Sequence, residues 1–75
     1  MFLNMHKNKQ TVFIKSCPAN EFLSVMGVKE GIKVLIVTKQ PIGGPVVIRI
    51  DHRDIAIDSE LAKQIVTELV PYALP

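Results

Sequence analysis

The stretch Lys33–Ile50, KVLIVTKQPIGGPVVIRI, decides the fold. Two runs with the aliphatic and β-branched content of strands flank the segment Gln40-Pro41-Ile42-Gly43-Gly44-Pro45. A two-residue turn such as Asn-Gly would be enough to join them. Here two prolines lock their own φ and push Gln40 and Gly44 toward extended backbone. Gly43 is free to take the positive φ that reverses the chain. The segment therefore reads as a semi-rigid arm between two strands, holding Ile42 near its tip. Ile42 either folds back to plug one end of a small barrel or makes an exposed contact, and both readings stand open at this point.

Working outward, a strand is expected over about 32–39, a second over 46–50, and a third over 54–57 after a turn at Asp51-His52-Arg53. Val46, Ile48 and Ile50 share one face by strand alternation, and Ile55 and Ile57 continue it across the hairpin, while Val47, Arg49 and Asp51 point the other way. In the first strand of this set Val34 and Ile36 are inward, yet Leu35 and Val37 make the second face apolar too. That face needs a cover, either the C-terminal helix or another molecule.

Upstream, Thr11–Lys15 has strand composition. Ser16 or Cys17 is expected to cap a short helix with Pro18 in its first turn, an apolar side at Phe22, Leu23 and Met26, and Gly27 as its stop. Gly31 closes the turn that follows. Downstream, Asp58 or Ser59 starts a C-terminal helix, because Leu61, Ile65 and Leu69 recur at helical spacing, and Pro71 ends it. The order is β, short helix, β, β, β, helix, and four short antiparallel strands of this kind make a small curled sheet or open barrel.

The chain has 75 residues, so it holds one small domain, with residues 1–9 as a polar tail and 10–75 as the folded unit. Its 48% hydrophobic residues are ample for a core, and a positive mean hydropathy leaves apolar surface for a partner. A net charge of +2 falls short of the basic stripe of a nucleic-acid binder, and the three Phe are not interleaved with basic residues as a stacking platform would need. The single cysteine, Cys17, forms no internal disulfide and fits a reducing, cytoplasmic setting. Neither a signal-peptide core nor a run of membrane-span length is present. Direct membrane insertion is therefore not expected, and peripheral association would run through another protein.

No enzyme is readable. Cys17 with His6 or His52 lacks any pattern that fixes a thiol–imidazole geometry, and a small buried hydrophobe is the simpler role for Cys17. Asp51, His52 and Asp54, with Cys17 further off, are weak metal candidates by ligand type, but Arg53 in their midst repels a cation and a polar hairpin turn accounts for them. Gly43-Gly44 is no phosphate loop, since no Lys-Ser/Thr follows and Pro45 opens a strand.

Taken together, LSVMGVKEG over Leu23–Gly31, then VLIV, PIGGPVVIRI over Pro41–Ile50, IAID and ELAKQI resemble the FeoA family, from about Thr11 to Leu69. The most specific parts are Met26-Gly27 followed by Gly31, and the Pro41-x-Gly43-x-Pro45 loop. The resemblance implies an SH3-like barrel with a short inserted helix and a C-terminal helix, a protein–protein role on the FeoB ferrous-iron transporter, and no catalysis or cofactor. Members commonly carry glycine where Asp51-His52-Arg53 stands and just before the first strand; either His52 takes a left-handed conformation or that turn is of another type, and Asn8 is the expected left-handed substitute before the strand. The surface expected to meet the transporter's cytoplasmic domain is Leu35, Val37, Pro41, Ile42, Gly43 and Pro45, and a homodimer is a second use for it. Alternatives are regulation of the transporter's GTPase by a supplied arginine, for which only Arg49 and Arg53 qualify, and an iron carrier built on Cys17, His6 and His52.

Overall fold

The computed structural model describes residues 1–39 and 43–70. The elements are a 3₁₀ turn η1 (Leu3–Met5), β1 (Thr11–Ser16), α1 (Glu21–Met26), β2 (Lys33–Lys39), β3 (Val46–Ile50), β4 (Arg53–Ile57), α2 (Ser59–Ala62) and β5 (Val66–Leu69). The strands form one antiparallel sheet in the order β4-β3-β2-β1-β5. The chain is thus mainly β and SH3-like, as expected. The sheet stays open, since among the described residues no pairing joins β4 to β5. Register slips by one residue between Ile36 and Thr38 in β2 and between Ile14 and Ser16 in β1. Such bulges bend a strand and sharpen its twist, which curls this small sheet around its contents.

The inward face is the one that alternation assigns. Val34, Ile36, Val46, Ile48, Ile50, Ile55 and Ile57 are all buried, joined by Val12, Ile14, Leu23 and Val28. Ile48 lies at the centre, paired to Ile36 on one side and Ile55 on the other.

The chain's end departs from the expected helix. α2 is a single turn, capped by the Asp58 side chain accepting from Leu61 N at 2.9 Å, and the chain then enters β5 along β1. The run Ile65-Val66-Thr67 explains the switch: three β-branched residues are stiff at χ1 and suit a strand, and β1 had an edge to fill. The Leu61/Ile65/Leu69 spacing is therefore coincidental, with Ile65 buried and Leu69 exposed. Pro71, the expected helix stop, lies outside the described residues. Among the described residues no long helix covers Leu35 and Val37; α2 packs on η1 instead.

Nor are the first residues a frayed tail. Leu3 is fully buried, its N–H donates to Ile65 O at 2.9 Å, and Phe2 bridges Val66, so this segment lines the outer edge of β5. His6 is buried beside Thr67. Local turn details also shift. The cap of α1 is Asn20, whose Oδ1 accepts from Leu23 N at 3.0 Å, because Ser16 is still paired in β1. Gly27 ends α1 with φ +83°, as expected. The left-handed residues before β1 and in the β3–β4 turn are Lys9 and Asp51, one position away from Asn8 and His52. Asn8 instead accepts from Lys39 N through its side chain at 3.0 Å.

Candidate functional site

α1 has two sides. Leu23 roots it in the core, which turns Phe22 and Val25 outward at 44% and 73% exposure. Phe22 stands over an open, mostly apolar groove of about 390 Å³ shared with Asn20, Pro45, Ala56, Asp58 and Leu61. Each wall has a local reason. Pro45 leads into β3; Ala56 points outward between buried Ile55 and Ile57; Leu61, with Ala62, is buried on the inner side of the single-turn helix α2. The Asp58 carboxylate, occupied in capping α2, sits at the rim near Asn20. An aromatic side chain left half out of water beside an apolar cleft is the feature that protein contacts exploit.

Of the residues expected to meet a partner, Pro45 lines this groove and Gly43 is exposed with φ +64°. Leu35 and Val37 are half-buried on the outer side of β2. Pro41 and Ile42 lie outside the described residues. Phe22, Val25, Ala56 and Leu61 were missed by sequence reasoning. The expected apolar side of α1 grouped Phe22 with Leu23 and Met26; in the structure Leu23 and Met26 pack inward, and Phe22 faces out with Val25, three residues along.

The polar candidates are dispersed. Asp54 accepts from Arg49 Nε at 2.7 Å and Nη2 at 3.2 Å, bonds that hold its carboxyl below and the guanidinium above their ordinary ranges. Arg53 donates to Met26 O at 3.0 Å and so caps the end of α1. Cys17 Sγ lies 3.7 Å from Val28 O, and burial, then the nearby Glu30 charge, pushes its thiol pKa up. His6 Nε2 contacts Thr67 Oγ1; burial, the N-terminal ammonium and Lys39 lower its pKa. Asp51 and His52 are exposed turn residues. Among the described residues, no three His, Cys, Asp or Glu side chains gather closely enough to hold a metal ion. No described helix is long and apolar enough to cross a membrane.

The FeoA domain model matches residues 1–69. Among solved structures the chain is similar to an iron uptake regulatory protein, FeoA, with 20% identity and TM-score 0.82 over 91% of this chain and 93% of that one. It is similar to iron(II) transport protein A from Clostridium thermocellum at 30% identity and TM-score 0.82, over 93% of this chain and 46% of that one. It is also similar to ScaR with bound Zn²⁺, at 18% identity and TM-score 0.81, over 93% of this chain and 37% of that one. The likenesses at 20% and 18% identity speak to fold alone. No curated protein matches the chain.

Proposed function

The chain belongs to the FeoA domain family, and from that premise we propose that it is a non-catalytic accessory protein that docks on the cytoplasmic part of the FeoB transporter and supports iron uptake. Membership of the family implies a role in ferrous-iron transport. The observation that carries the finer reading is the apolar groove under Phe22, walled by Pro45, Ala56 and Leu61. It offers a half-exposed aromatic anchor on a helix rooted in the core by Leu23, and a pre-set surface loses little freedom on binding.

Neither alternative gains comparable support. An arginine finger needs a free guanidinium, whereas Arg49 is bonded twice to Asp54 and Arg53 holds Met26 O. An iron carrier needs converging ligands, whereas the Cys17 thiol donates to a backbone carbonyl and the Asp54 carboxylate is engaged by Arg49.

The test is a pull-down of the transporter's soluble domain, with and without nucleotide. The wild-type chain retains the domain, and Phe22→Asp loses it with an unchanged melting temperature. Failure of the wild-type chain to retain the domain in either condition overturns the reading. Light scattering of the free protein separates docking from self-association through the same groove.

A further inference from the structure

A second surface, built around η1, has a chemistry of its own. Leu3 anchors that turn in the core, and its neighbours point away: Met1, Phe2 and Met5 are 58%, 44% and 54% exposed. Basic side chains surround these apolar tips. Lys39 Nζ donates to Asn4 O at 2.8 Å, and Lys39 N donates to Asn8, which fixes the end of β2 against the segment carrying exposed Lys7 and Lys9. α2 packs on η1 from the other side and brings Lys63. Asn4, Lys39, Ser59 and Lys63 then line one small cleft of about 170 Å³.

Charge on this end is mainly basic, with Lys7, Lys9, Lys39 and Lys63 against Glu60. The first acidic residue of the chain is Glu21. The acid beside the cleft, Glu60, is 3.5 Å from Lys63 Nζ with its side chain 82% exposed, a contact too loose to neutralise the lysine. Long, separate apolar side chains set among lysines differ from the groove under Phe22, which is concave and acid-rimmed. They match an interface in which apolar tips enter the headgroup layer while ammonium groups meet phosphate.

We propose that this end of the molecule, with Phe2 and Met5 as apolar tips and Lys7, Lys39 and Lys63 around them, seats directly on an anionic phospholipid surface. No spanning element is involved. The seat holds the protein peripherally, on the side of α2 that carries Ser59 and Lys63, next to the groove that Asp58 and Leu61 line. It does not depend on transporter docking, because bare lipid is the partner.

Co-sedimentation with phosphatidylcholine vesicles containing roughly a quarter phosphatidylglycerol tests it. Binding is expected to these vesicles, to fall as salt rises, and to be absent with pure phosphatidylcholine. Lys7→Gln with Lys63→Gln should weaken it about tenfold or more, since each basic residue near such a surface contributes about fivefold. Met5→Ser should weaken it several-fold. Lys29→Gln with Lys33→Gln removes the same charge elsewhere; Lys33 and Lys39 sit at opposite ends of β2, roughly 20 Å apart. That pair should change binding less than about twofold. All these side chains are exposed, so melting temperatures should hold. Equal binding to neutral vesicles, no binding to anionic ones, or equal loss in the two double variants overturns the proposal. So does binding that Met5→Ser leaves unchanged, which would mean charge alone acts. Capture of the transporter's soluble domain that is lost in Lys7→Gln/Lys63→Gln, with vesicle binding intact, reassigns the surface to a protein partner.

Discussion

Ile48→Ala probes the packing on which everything else rests. Ile48 is fully buried, at the middle of β3, with Ile36 and Ile55 as its paired neighbours. The change deletes three carbons, worth ~0.8 kcal/mol each in transfer, or ~2.4 kcal/mol. Strands on both sides hold the backbone in place, so the space left collapses only partly and a cavity contribution adds, giving ~2–5 kcal/mol. In a domain this small each kcal/mol lowers the melting temperature by ~4–8 °C, so a drop of at least ~10 °C is expected. Val47 is the internal comparison: adjacent in sequence, half-buried and outward, it should lose under about 1 kcal/mol as Val47→Ala. Urea melts followed by circular dichroism give both values at constant m. A loss below about half a kcal/mol for Ile48→Ala, or a larger loss for Val47→Ala, would mean that the strand faces are inverted.

Acid should destabilise the protein through His6 before it does so through its carboxylates. The folded-state pKa of His6 lies below its ordinary 6.5, so the unfolded chain takes up the proton first. Stability is then complete above pH 6.5 and falls as pH drops from there through the lowered folded value; urea midpoints across that window should slope in wild type and flatten in His6→Asn. The contribution of Asp54, whose pKa is held below 3.8, is lost only at lower pH and is separable. Gly27→Ala should cost ~1–2 kcal/mol, because φ is +83° there while the added Cβ meets only Arg53 Nη2 at 3.5 Å, ordinary contact. A neutral result in a thermal melt would show that α1 ends without needing the left-handed geometry.

How much was legible in the sequence follows from what kind of signal each residue carried. The β2–β3–β4 meander was readable because alternation is a strict period-two rule and each inward position is aliphatic. Gly27 was readable because a glycine after an amphipathic turn has few other uses. The end of the chain was misread because Leu61, Ile65 and Leu69 satisfy a helical period while Ile65-Val66-Thr67 satisfies a strand, and what decided between them was the vacant edge of β1, a long-range fact. The N-terminal segment looked polar on composition, yet a single residue, Leu3, is enough to root it. The Phe22 groove was hidden for the same reason: Ala56 and Leu61 lie far from Phe22 in sequence and meet it only once β4 and α2 are in place. Turn conformations at Lys9 and Asp51 missed by one residue, since Asn8 was taken up by a side-chain bond to Lys39.

The central claim, that the groove under Phe22 is where the transporter docks, is tested most directly by titrating the transporter's cytoplasmic domain against wild-type chain and Phe22→Asp in a calorimeter, with thermal melts of both. Phe22 is a half-exposed helix residue whose neighbour Leu23 carries the core packing, so the variant should melt within a few degrees of wild type. Its affinity should fall more than about tenfold, the loss of roughly 1.4 kcal/mol or more that burying a charge in an apolar contact entails. Equal affinities for the two proteins, with both folded, would contradict the account.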